Sequence, residues 1–161
     1  MIVTVDALRL RRALSRFPTG VTIVGTKHRP EGVCGLTVNA FASVSLEPPL
    51  VLVCVDRTSN THGCIEASGV FTVNVLATGQ EPVATTFAQK RDDKFDGLEH
   101  QLTANGAPVI EGVVAWLECR VRDVLEGGDH TIFLGDVLEC DEVDARPLVF
   151  FRSGFTTTVH E

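Results

Sequence analysis

The chain has 161 residues, of which 44% are hydrophobic and 22% charged, and such a composition folds, so wholesale disorder is excluded. That length favours one domain, taken here as residues 1–161. A net charge of −7 repels a polyanion on average, so nucleic acid is not an expected partner.

The first element is a helix over residues 6–17, with Asp6 as N-cap and an apolar stripe of Leu10, Ala13, Leu14 and Phe17. Arg9, Arg12 and Arg16 lie off that stripe and read as a solvated face, and Pro18 and Gly20 end the helix. Strands follow. Gly20–Thr26 is rich in β-branched residues and stops at a turn over Lys27–Gly32. Leu50–Val55 is the longest apolar run, and its continuity suggests burial on both faces. A membrane-spanning helix needs about 20 apolar residues, so a membrane role is not expected. A helix runs from Ser59 towards Ala67, and Phe71, Val73 and Val75 alternate with Thr72 and Asn74. Another helix spans about Gln80–Ala88, with Pro82 tolerated in its first turn. Ala115–Arg122 carries the clearest period-2 pattern, and Ile132–Val137 and Leu148–Phe151 complete the strands. Many strands with few short helices argue for a mainly β barrel or sandwich.

The five cysteines, at 34, 54, 64, 119 and 140, include no C-x-x-C pair and read as reduced thiols of a cytoplasmic protein. Their scatter, and that of His28, His62, His100, His130 and His160, gives no zinc-ligand spacing, so no metal is expected. No secretory signal is visible, which fits the same compartment. Rossmann, P-loop, H-E-x-x-H and G-x-S-x-G motifs are missing. Difficult chemistry, if any, then belongs to an organic cofactor.

Three polar segments flank the apolar strands. In Gly35–Pro49 the uncharged Thr37, Asn39, Ser43 and Ser45 share one face of an extended chain. Such a stripe suits either a flat hydrogen-bonding heterocycle or a solvent-facing strand surface. In Asp56–Thr61, hydroxyls and Arg57 at a helix start suit an anion or an ordinary N-cap. The third segment, Gly128-Asp129-His130, enters a strand containing Gly135, and its His reads either as a functional group or as a turn residue.

In this order the segments resemble the short-chain flavin reductases, the reductase components of two-component flavin-dependent monooxygenases. The resembling residues are Arg16–Val21, Leu36–Pro49, Phe71–Leu76, Phe87-Ala88 with Asp93-Lys94-Phe95, and Leu117-Glu118-Cys119. Gly128-Asp129-His130 with Gly135 and Val137, and Pro147-Leu148 with Gly154-Phe155, complete a match from about Leu8 to Phe155. The resemblance implies an FMN-binding split β-barrel, Greek-key-like, with a few short helices, acting as a homodimer that binds FMN or FAD. By the same similarity Thr37, Val38, Asn39 and Ala40 border the isoalloxazine, and Ser43 and Ser45 lie near the ring or the ribityl chain. Asp56, Arg57, Thr58, Ser59 and Thr61 serve the ribityl-phosphate end, and Ala88, Lys94 and Phe95 close over the flavin. His130 matches the position that helps hold the nicotinamide against the flavin, Phe155 can stack on a nicotinamide or adenine, and Arg152 reads either as a contact to a pyridine-nucleotide phosphate or as a strand-end surface charge. The family often has Tyr near the C-terminal glycine where this chain has Phe155, so a hydroxyl contact is lost.

The implied reaction passes hydride from NADH to the flavin, and the reduced flavin then leaves for a partner monooxygenase. NADH is preferred as donor because no Arg cluster awaits a 2′-phosphate. Two other readings stay open: a split-barrel flavoprotein that holds FMN tightly as carrier or oxidase, and a non-catalytic flavin- or haem-binding module.

Overall fold

The computed structural model describes residues 4–28 and 30–159. Arg29 of the expected turn, His160, and the extreme ends of the 1–161 span lie outside the described residues. Chain order is α1 (Ala7–Leu14), β1 (Thr19–Gly20), β2 (Thr22–Lys27), β3 (Val33–Val38), β4 (Phe41–Leu46) and β5 (Pro49–Asp56). Then come α2 (Asn60–Ser68), β6 (Val70–Val75), α3 (Glu81–Phe87), β7 (His100–Leu102) and β8 (Pro108–Ile110). The last four elements are β9 (Ala115–Gly127), β10 (His130–Glu142), β11 (Leu148–Phe151) and β12 (Gly154–Thr157).

Seven strands form one antiparallel sheet in the order β3-β2-β6-β9-β10-β5-β4. The edge strands β3 and β4 are consecutive in sequence, joined only by Asn39 and Ala40. The sheet therefore curls, though no ladder joins its two edges among the described residues, and the barrel stays split. Strands β1, β11 and β12 make a second small sheet, and β7 with β8 a hairpin.

Two apolar cores lie on opposite faces. Val24, Val53, Val55, Ile65, Phe71, Val73 and Phe133 pack in one, under α2. Ile23, Leu76, Ala84, Phe87, Ile110 and Leu148 pack in the other, under α3. Alternation ordinarily marks one dry and one wet face. In β6 the hairpin covers the polar face as well: Thr72 donates its hydroxyl to Pro108 O at 2.5 Å, and Asn74 Oδ1 accepts from Ile110 N–H at 2.8 Å. Strand β5, expected to be buried on both faces, instead buries Val51, Val53 and Val55 while Leu50, Leu52 and Cys54 stay half-buried. Both β5 and β2 lie next to an edge strand, but it is β2 and β6, against which α2 and β8 pack, that are covered on both sides.

The helices form where caps and turns place them. Asp6 accepts from Leu8 N–H at 3.2 Å, so the expected N-cap holds, but α1 stops at Leu14, and the chain runs on in i→i+3 turns, Arg16 N–H to Ala13 O and Phe17 N–H to Leu14 O, before Pro18. Its stripe is not covered in the single chain: Leu10, Leu14 and Phe17 are 49%, 62% and 73% exposed. Ser59 caps α2, accepting from His62 N–H, and Gly69 closes it at φ 72°, in the left-handed region.

The cysteines depart from expectation. Cys34 of β3 and Cys64 of α2 form a disulfide, while Cys54, Cys119 and Cys140 are free thiols. Contact across a separation of 30 residues leaves no mark in local spacing. A cross-link closing such a loop stabilises by about 3–4 kcal/mol in the chain-entropy account.

Gly135 of β10 lies against two buried side chains of the first core. A Cβ there would lie 2.7 Å from Phe71 Cζ and 2.9 Å from Cys119 Cβ, both fully buried. Gly135→Ala should destabilise the chain by about 1–3 kcal/mol through overpacking. Urea unfolding monitored by circular dichroism checks this, and an unchanged midpoint would contradict the close approach.

Candidate functional site

A cleft of about 1120 Å³ opens at the seam of the curled sheet. The end of β3 and the Asn39–Ala40 link form one wall, the Asp56–Thr61 segment another, and residues 87–95 a third, with His130 at the rim. Sheet register explains the convergence, since His130 is paired directly with Asp56 across β10 and β5.

The segment after β5 is held by its own groups. Asp56 Oδ1 accepts from Thr58 N–H and Thr58 Oγ1–H, both at 2.8 Å, and Asp56 O accepts from Ser59 N–H at 3.1 Å. Those Thr58 donors hold the Asp56 carboxyl below the usual range, and His130 adds a smaller favourable charge. The turn delivers the chain into α2, whose first N–H groups have no acceptor within the helix and favour an anion. His130 Nδ1 shares a hydrogen bond with Asp129 Oδ1 at 2.7 Å.

The third wall is pinned to the sheet. Lys94 Nζ donates to Gly35 O and Phe87 O, each at 3.0 Å, and desolvation lowers its pKa. Phe95 meets Phe87 edge-on at 4.8 Å between centroids. Gly35 permits this approach, because a Cβ there would lie 2.8 Å from Phe87 Cε1. Asn60 Nδ2 donates to Asp92 Oδ1 at 2.9 Å, tying the start of α2 to the same wall. Thr37 Oγ1 donates to Ala84 O at 2.6 Å, so its hydroxyl orients α3.

Of the residues selected from sequence, Thr37, Val38, Asn39, Ala40, Asp56, Thr58, Ser59, Thr61, Ala88, Lys94, Phe95 and His130 line the cleft. Ser43, Ser45, Arg57, Arg152 and Phe155 do not. The expected stripe over 37–45 breaks because β3 ends at Val38 and a bulge lies between Ser43 and Ser45. One inserted residue shifts the alternation, which a count of odd positions cannot register. Arg57 turns outward, with Nη1 3.9 Å from Glu126 Oε1. Arg152 and Phe155 belong to the β11–β12 hairpin, where Arg152 lies 5.2 Å from the Phe151 ring centroid and Phe155 packs on Phe150. Sequence reasoning missed Cys54, Asn60, Lys90, Arg91 and Asp92, which also line the cleft. The signal for Asn60 was its place after the capping Ser59; the basic pair Lys90-Arg91 follows Ala88 after one residue, Gln89. His28, Cys34 and Cys64, scattered in sequence, also meet on the cleft wall.

The lining pairs hydroxyls, amides and a helix start with aromatic surface. That suits an aromatic heterocycle bearing phosphate, with the redox chemistry residing in the ligand. The fold and cleft are those of a split-barrel flavin-binding protein. The chain belongs to the flavin reductase like domain family, whose model matches residues 14–158. It is 45% identical over 153 residues to a flavin reductase of Pseudomonas putida, covering 94% of this chain and 89% of that one. It is 42% identical to the HsaB reductase subunit of a flavin-dependent monooxygenase of Mycobacterium tuberculosis, covering 97% and 84%. Among solved structures, the NADH:FAD oxidoreductase SgcE6 of Streptomyces globisporus, in complex with NAD and FAD fragments, superposes with a TM-score of 0.90. That match has 42% identity and covers 96% of this chain and 93% of that chain.

A carboxyl whose folded pKa is depressed stabilises the folded turn above its unfolded pKa and loses that contribution as pH falls through the folded value. The Thr58 amide resonance should therefore titrate with a midpoint below the ordinary Asp value of about 4. NMR titration reads it, and a midpoint at or above that value would refute the Asp56–Thr58 geometry.

Proposed function

We propose that this chain is an NADH:flavin oxidoreductase that reduces FMN or FAD and releases the product to a partner flavin-dependent monooxygenase. The observation that carries the reading is the convergence of Thr37–Ala40, Asp56 with Thr58–Thr61, Ala88–Asp92 with Lys94 and Phe95, and His130 on one cleft in a chain of this family. The whole span 1–161 acts as one flavin reductase domain.

A bound flavin supplies the hydride acceptor; the protein supplies position and charge. Residues 37–40 border the ring, and their backbone N–H groups favour negative charge developing there. Thr58, Ser59 and Thr61, with the start of α2, hold the phosphate end. The Lys94 ammonium, already bonded to two carbonyls, fixes a positive charge beside Gly35 and Phe87. His130 sits at the rim, oriented by Asp129, and holds the nicotinamide at near-attack distance as a positioning group. The relatives named reductase subunits of flavin-dependent monooxygenases support the partner assignment.

We assign the working form as a homodimer. The exposed apolar face of α1, with Leu46 at 94% exposure and Phe155 at 41%, supports a second copy as its cover. In that form Arg152 and Phe155 of one protomer serve the nicotinamide end of its partner's cleft. A cytoplasmic location follows from the need for NADH; among the described residues no helix is long and apolar enough to cross a membrane.

Anaerobic NADH oxidation with FMN and FAD titrated separately is the direct test. Saturable turnover with added flavin is expected; no turnover with either would favour the binding-module reading, and co-purified tight flavin the carrier. His130→Ala should raise KM for NADH about tenfold with flavin affinity nearly unchanged, the loss of one charge-assisted contact. Weakened flavin binding with normal NADH kinetics would overturn that role. Phe17→Glu should shift sedimentation from dimer to monomer, and an unaltered dimer would move the interface elsewhere.

A further inference from the structure

Three soft or borderline ligand atoms meet at one point on the cleft wall. His28 directly follows β2, Cys34 lies on β3 and Cys64 on α2, and their ligand atoms all lie within 4.8 Å of one another. His28 is anchored by its backbone, donating N–H to Gly32 O at 2.8 Å, and its residue is exposed. The two cysteine Cα atoms are 6.8 Å apart, held by a strand and a helix whose positions the core fixes.

We propose that His28, Cys34 and Cys64 form a three-ligand site for a soft divalent cation such as Zn²⁺ once the Cys34–Cys64 bond is reduced. Two thiolates and one imidazole are the donor set that selects zinc or cadmium over magnesium or calcium. With metal–sulfur bonds of about 2.3 Å, tetrahedral ligand atoms stand about 3.5–3.8 Å apart, a separation the cluster reaches by side-chain rotation. Three protein ligands leave a fourth position for water.

The chemistry balances in two steps. A small-molecule dithiol reduces the bond, its own two thiols closing to a disulfide while Cys34 and Cys64 each take one proton. The cation then binds both sulfurs as thiolates, and the two protons pass to solvent. The disulfide and the metal site exclude each other, so the thiol balance of the surroundings decides which forms. In a cytoplasm kept reducing, the dithiol is the favoured state. This inference concerns the wall of the cleft and does not rest on which flavin or donor it takes.

Cadmium titration tests it, because cadmium thiolates absorb in the ultraviolet by ligand-to-metal charge transfer. The full chain is compared oxidised and after anaerobic reduction with removal of the reductant. Thiol counting in denaturant verifies the two states, at three free cysteines oxidised and five reduced. The expected result is a saturable one-equivalent band in the reduced chain, missing from the oxidised chain and from Cys34→Ser and Cys64→Ser. His28→Ala should weaken binding by about tenfold or more while the band persists. Cys140→Ser, which alters an exposed thiol away from the cluster, should leave the titration unchanged. No band in the reduced chain would overturn the proposal. So would a band that survives Cys34→Ser, or one that Cys140→Ser removes.

Discussion

The two-residue connection between β3 and β4 is the constraint from which the rest of the structure follows. These strands are the opposite edges of a seven-stranded sheet, and a flat sheet would set them about 29 Å apart at the usual strand spacing. From Val38 to Phe41 the chain reaches at most about 11 Å. The sheet has to roll until its edges nearly meet. Backbone bonds fix the meeting point: Cys54 N–H donates to Ala40 O and Phe41 N–H to Asn39 O, both at 3.0 Å.

The cleft is a product of that rolling. Because the edges approach without pairing, a seam is left, and the polar ends of several strands open onto it. Asp56 at the end of β5 and His130 at the start of β10 arrive together because antiparallel pairing puts them opposite. The wall over residues 87–95 is closed by Lys94 and by the Phe87–Phe95 contact, which fits only because Gly35 lacks a side chain. Geometry thus passes from one short link, through the sheet, to the groups around the ligand.

Much of this was legible locally. The hydroxyl at the start of α2 and the alternation in β9 are features of neighbouring residues, and they placed α2 and the strands well. Thr37, Asn39, Asp56, Thr58, Ser59, Thr61 and His130, which line the cleft, were also singled out, since polar residues at strand ends stand out in sequence. What escaped depended on distant contacts. The bulge after Ser43 depends on how β4 meets β5, and Cys34 meets Cys64 only after the sheet has curled. The stripe of α1 was visible as a pattern, but a pattern does not say which surface covers it.

The polar groups around the cleft are already bonded to one another. Thr37 serves Ala84, Thr58 serves Asp56, Asn60 serves Asp92, and Lys94 serves two carbonyls. Among the described residues the one buried side-chain polar atom without a partner is Thr19 Oγ1, which does not line the cleft. Among the described residues no buried side-chain donor or acceptor of the wall depends on a ligand for its partner, so the side chains add no desolvation penalty when a ligand departs. The side chains of the wall thus hold their places through bonds to one another and to the backbone.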